Sequence, residues 1–223
     1  FACEGTDISG SAGGSANYQW TSGENRWSDW WLTTYQAIGA CNTTISRIKQ
    51  STFDETRRTS LLAEARFLRA FYYYHALTYW GGVPLLKDEI TSLDQVKNIK
   101  RATREELSNF IIDELTEVSD ILEKSPAIVA RASKGTALTL LAKMYLLQEQ
   151  WENAAKTCEQ IMGLNKYKLF DNYSDIFSQA FENQQEHIFS IQFNADYTDF
   201  SARMLWYLGP SKEEWDKFNG LGG

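Results

Sequence analysis

The chain has 223 residues, long enough to bury one substantial core, or two small ones, without a disulfide or metal to hold it. Its charged residues make up 23% of the sequence and sum to a formal net charge of -7, with Lys and Arg scattered among acids. No basic stripe is therefore available to neutralise a phosphate backbone, which argues against nucleic acid as a partner.

Cys3, Cys41 and Cys158 lie far apart, with no C-x-x-C pair and no histidine at zinc-site spacing, so no metal site and no cofactor are expected. Reduced, buried thiols are the expected state, and a single bridge between Cys3 and Cys41 stays open as the alternative. No apolar run approaches the ~20 residues needed to cross a bilayer. The chain starts on "FACEGTD" with no initiator Met, basic n-region or h-region, and is read as a piece of a longer precursor.

Residues 5–25 are rich in Gly, Ser, Thr and Asn and read as a long loop. From Trp27 to about Lys49, Trp31, Tyr35, Ile38, Cys41, Ile45 and Ile48 recur near helical spacing, which predicts an amphipathic helix with Asn42 beside its stripe. A second helix is expected from about Asp54 to Trp80. Leu61, Ala65, Leu68, Tyr72 and Tyr79 mark one side and Phe67, Phe71 and Tyr74 another, so it is expected to be buried nearly all round. Gly81 and Gly82 can supply a left-handed cap, and Pro84 stops the helix from resuming.

"TREE" at 103–106 is a capping-box pattern, opening a helix to about Leu122 with Leu107, Phe110, Ile111, Leu115, Val118 and Leu122 inward. Ser133 opens the next helix, with Leu138, Leu141, Ala142 and Tyr145 on one face; a shorter one runs from Trp151 to Met162 and ends at Gly163. On a tetratricopeptide unit, Ala142 and Ala154 take the small positions that let two antiparallel helices approach, while Leu141, Tyr145, Cys158 and Ile161 take interface positions. The 62–80 and 104–122 helices read as a second, longer-looped unit. Beyond Gly163, "YKLFDNYSDIF" is loop-like, and "HIFSIQF" alternates Phe189, Ile191 and Phe193 against Ser190 and Gln192, a half-buried strand signal.

The stretch "EARFLRAFYYYHALTYWGGVPL" resembles the signature of the SusD/RagB family. "WLTTYQAIGACNTTISRI", "RASKGTALTLLAKMYL", "WENAAKTCEQIM", "YKLFDNYSDIF" and "ENQQEHIFSIQF" are similar to further segments of that family, in family order, over about residues 1–193. The resemblance implies a mostly α SusD-like domain over 1–223, incomplete at both ends, with tetratricopeptide-like helical hairpins at 54–163, long loops and minor β structure. It also implies a non-enzymatic, surface-exposed lipoprotein of the outer membrane, held by an N-terminal lipid anchor missing from this chain. Such a protein captures oligosaccharide or polysaccharide for a TonB-dependent, SusC-like transporter.

A carbohydrate site needs an aromatic face for the sugar C–H groups and polar groups at its rim. Four of the eight tryptophans fall in "NYQWTSGENRWSDWW". Trp20 and Trp27 are the first candidates for stacking, with Trp30 beside them and Asn17, Arg26 and Asp29 as hydrogen-bonding neighbours; in the family this region contributes to the ligand face. The same tryptophans could instead pin the loop to the core, as Trp is highly buried on average, and Trp31 and Tyr35 are expected to do so.

Arg69 is expected to pair with a buried acid or helix carbonyls. His75 and His187 have no Ser, Cys or metal partner at motif spacing and read as structural, while Asp113, Glu114 and Glu117 read as a solvated face. No catalytic residue is assigned, because nothing singles out the carboxylate pair a glycosidase needs. The competing class is a tetratricopeptide-type module that binds protein or peptide on its concave surface.

Overall fold

The computed structural model describes residues 25–192. The chain divides into two units, Phe1–Asn25 with Ile191–Gly223, and Arg26–Ser190, and the architecture below is that of the second. It is built of α-helices, in line with the mostly α expectation: α1 (Asn25–Lys49), α2 (Glu55–Trp80), α3 (Arg104–Ile121), α4 (Lys134–Leu147) and α5 (Trp151–Gly163), with short 3-10 turns at Leu93–Gln95, Tyr173–Phe177 and Gln179–Phe181. No strand forms among the described residues, so "HIFSIQF" is not a strand as far as Gln192. Among the described residues, β pairing is limited to an isolated antiparallel bridge between Pro84 and Arg101.

The helix ends follow local chemistry. Asp54 caps α2 by accepting from the Arg57 amide, and Gly81 ends it at φ +71, a conformation that costs a side-chain-bearing residue steric strain. Gly82 is needed for a different reason: a Cβ there would sit 2.2 Å from the Ala102 carbonyl oxygen. The chain can thus fold back tightly, with the Ala102 amide donating to Val83 O and the Arg101 guanidinium donating to the carbonyls of Trp80 and Gly82. The Thr103–Glu106 capping box opens α3, and a second box, Ser133 with Thr136, opens α4.

α2 packs on α3, α3 on α4 and α4 on α5. Leu107, Ile111, Leu115 and Val118 of α3, with Leu122 at its C-cap, are buried as expected, Phe110 only partly. Across from them, α2 buries small side chains, Ala63, Ala70 and Ala76, together with Phe67, Tyr73 and Leu77. Leu68 and Tyr79 are instead 42% and 43% exposed, so α2 is not buried all round; alanines draw the neighbouring backbones in on one side and leave the other in solvent. In α4 and α5, Ala142 and Ala154 are both buried, but Cys158 is exposed and Thr157 takes the inward place. Cys41 alone of the two described thiols is buried, and burial pushes its pKa up to about 11.

One polar cluster runs through this apolar frame. Glu114, 6% exposed, accepts from Arg66 Nε and Nη2 at 2.9 and 2.7 Å and from Arg69 Nε and Nη2 at 3.2 and 2.7 Å. Arg69 therefore has the buried acid expected of it, and it also donates through Nη1 to Asn42 Oδ1 and Lys87 O. The expectation of a solvated face holds for Asp113 and Glu117 but fails for Glu114, which lies between Ile111 and Val118 on the inward stripe. Two fork-shaped guanidinium groups can saturate one carboxylate, which is what permits its burial.

α1 is tied in through the segment after α2 as well as by direct packing. Tyr35 Oη donates to Pro84 O, and Asn42 Nδ2 donates to Leu86 O. The buried Tyr73 hydroxyl donates to Leu86 O at 3.0 Å and accepts from Leu86 N at 2.7 Å, holding the same segment from the α2 side. Desolvation is the main reason the Tyr73 pKa is pushed up to about 12.

Candidate functional site

The start of α1 meets the end of α2 in a run of rings. Trp27 and Trp30, three apart on α1 and therefore neighbours on its surface, are stacked with centroids 6.5 Å apart and planes 6° from parallel. Trp30 then leans on Tyr79 of α2 at 4.2 Å and meets Trp80 edge-on at 6.2 Å. Tyr79 in turn stacks on His75 at 6.4 Å, with planes 16° apart. Burial, and secondarily Lys143, lower the His75 pKa, so near neutral pH its uncharged ring packs against Phe71 and Tyr74.

Inside this run, Trp31 packs edge-on to Trp80 at 5.2 Å and against Tyr35 at 4.8 Å, the core role expected of both. Trp27 and Trp30 are half-buried, and the Asp29 side chain beside them is exposed. The structure thus brings Trp27 and Trp30 together at one end of α1, with Asp29 exposed in the same turn. Asn17 and Trp20 lie outside the described residues, as does the side chain of Arg26. Tyr79 was missed by sequence reasoning, which placed it on a buried face. Its signal was the neighbouring Gly81 and Gly82: a ring in the last turn before a helix stop has fewer neighbours to cover it.

Tyr79, 43% exposed at the end of this run, presents a flat, weakly polar ring, which suits a ligand with C–H faces and hydroxyl edges. Among the described residues no group of three or more His, Cys, Asp and Glu could hold a metal ion, and no helix is long and apolar enough to cross a membrane.

Comparison with known proteins agrees with this frame. A family profile described as "Starch-binding associating with outer membrane", SusD-like, matches residues 8–146. A SusD-like protein of Formosa agariphila is 24% identical over 174 residues, covering 76% of this chain and 32% of its own, and one of Bacteroides ovatus is 29% identical over 194 residues, covering 78% and 34%. The chain thus spans about a third of the length of these curated relatives. Among solved structures, a SusD-like carbohydrate binding protein of Bacteroides fragilis superposes with a TM-score of 0.77 at 28% identity, over 84% of this chain and 38% of that one. A structure with xylogluco-oligosaccharide gives a TM-score of 0.74 at 25% identity (86% and 40%), and a laminarin binding SusD-like protein 0.70 at 25% (79% and 40%). With more than half of its length matched by the family profile, and with the helical frame shared by those structures, the chain belongs to the SusD-like family.

Proposed function

We propose that the chain binds oligosaccharide without transforming it, as part of an outer-membrane, surface-exposed lipoprotein that delivers glycan to a SusC-like TonB-dependent transporter. The observation that carries the binding step is the ring run Trp27–Trp30–Tyr79, whose last member is 43% exposed. Relatives that bind xylogluco-oligosaccharide, laminarin or starch by their descriptions support a sugar as the ligand class. The membrane anchor and the transporter rest on family likeness.

Calorimetry over starch, xyloglucan, laminarin and peptide panels tests this reading. Binding of at least one glycan and of no peptide is expected, and Trp27→Ala and Tyr79→Ala should each weaken it by ~1–3 kcal/mol, by analogy with other aromatic platforms. Glycan affinity unchanged in the double variant, with an unaltered melting curve, removes the site; peptide binding alone removes the function.

A further inference from the structure

A second opening lies away from the tryptophans, where the last turns of α1, the first half of α2, α3 and the segment 87–95 surround a groove of ≈ 880 Å³. That volume is in the upper part of the range of small-molecule sites. Its apolar wall is Ile45, Leu62 and the half-buried Phe110.

The charged groups of the groove are unequally engaged. Of its three acids, Glu114 is saturated by Arg66 and Arg69, and Glu89 accepts from Arg47 at 3.0 Å. Asp88 is the acid left without an ion pair among the described residues. Of its four cations, Lys49 and Lys87 have no ion pair among the described residues; Lys87 Nζ stands over the Phe110 ring, 5.2 Å from its centroid, and acts on Glu106 only at longer range. Ser46 of α1 and Gln50, just past its end, add donors on the same wall as Lys49. The groove therefore offers two ammonium groups, neutral donors and an apolar wall, within a chain whose net charge is -7. A hydroxylated ring carrying an anionic group matches that set: the ring lies on the apolar wall, the hydroxyls meet Ser46, Gln50 and Asp88, and the anion meets the ammonium groups.

We infer that this groove is a second saccharide subsite, selective for sugars that bear a carboxylate or a sulfate ester. The inference rests on the reading that the chain binds glycan, and adds to it a charge class and a site.

The test is calorimetry on the 223-residue chain with three probes of equal length: an oligogalacturonate, a sulfated galactose oligomer and an uncharged galactose oligomer. The acidic probes should bind more tightly than the neutral one. A Lys49→Gln, Lys87→Gln double variant, whose changes fall on exposed side chains, should lose about tenfold in affinity for the acidic probes and much of the salt dependence, with neutral binding intact. A preference for carboxylate over sulfate, or the reverse, supports the subsite and identifies the anion. Equal affinity for acidic and neutral probes, or a double variant that binds acidic probes like the parent, overturns the subsite while the glycan reading stands. No binding of any saccharide, these probes and the wider panel included, overturns that reading too.

Discussion

Glu114 and Arg69 show how much one pair of residues organises here. The carboxylate is buried against two guanidinium groups, so removing its charge would leave cations in a low-dielectric interior rather than delete one contact. Glu114→Gln should cost about 3 kcal/mol in chemical denaturation, with little change in the denaturant slope, whereas Glu117→Gln, at the solvent edge of the same cluster, should cost under about 1 kcal/mol. Cysteine reactivity is a second test at this scale. Cys158 is exposed, while Cys41 is buried with its thiol pKa pushed up to about 11. A thiol reagent at pH 8 should therefore modify Cys158 quickly and Cys41 only on unfolding, read by mass spectrometry of the two peptides. Arg69 was legible in sequence as a charge inside an apolar helix. Glu114 was not, because its acidic neighbours Asp113 and Glu117 hid the fact that it falls on the Ile111–Val118 stripe.

Capping chemistry was the most legible feature among the helices, since it depends on residues within one turn. "TREE" forms the box it spells, and Ser133 caps α4 with Thr136 in the place more often held by Glu or Gln. Ser133 is buried, so Ser133→Ala should lose about 1–2 kcal/mol, measured as a lowered denaturation midpoint. At the α3 box, hydrogen bonds from the Thr103 backbone and side chain hold the Glu106 carboxyl below its ordinary 4.5. A depressed folded-state pKa gives stabilisation that is present above the unfolded value and is lost as pH falls through the folded one. The plot of denaturation midpoint against pH should accordingly be flatter below 4.5 for Glu106→Gln than for the parent. Burial around α2 was harder to read. Its apolar residues cover nearly the full circumference, and sequence alone does not show that alanines bring α3 close on one face while Leu68 and Tyr79 stay in solvent. The alternation in "HIFSIQF" failed for a related reason: a period of two becomes a strand only where a partner edge exists, and none lies among the described residues.

At the scale of the molecule, the ring run at one end of α1 and the acid-selective groove proposed near its other end both depend on where that helix sits. It shares the core of the other helices through the fully buried Ile38. Longer side chains hold it as well: Tyr35 to Pro84, Asn42 to Leu86 and Arg69, and Trp31 against Trp80. Sequence periodicity announced the helix, its inward stripe and Asn42 beside that stripe, yet not that this buried amide would be the joint. Asn42→Ala deletes two hydrogen bonds at that joint; Leu86 O keeps the Tyr73 hydroxyl and Arg69 Nη1 keeps Lys87 O, so the cost should be about 1–3 kcal/mol rather than global unfolding. Because the lost contacts bind α1 to the rest, amide exchange should quicken across Asn25–Lys49 while the amides of α3, α4 and α5 keep their protection. Equal acceleration in every helix would instead put α1 inside the same cooperative unit, and the Trp27–Trp30 face could not then shift independently of the core. If exchange is confined to α1, glycan affinity should fall in Asn42→Ala although no ring has been changed, because Trp30 would no longer be held against Tyr79.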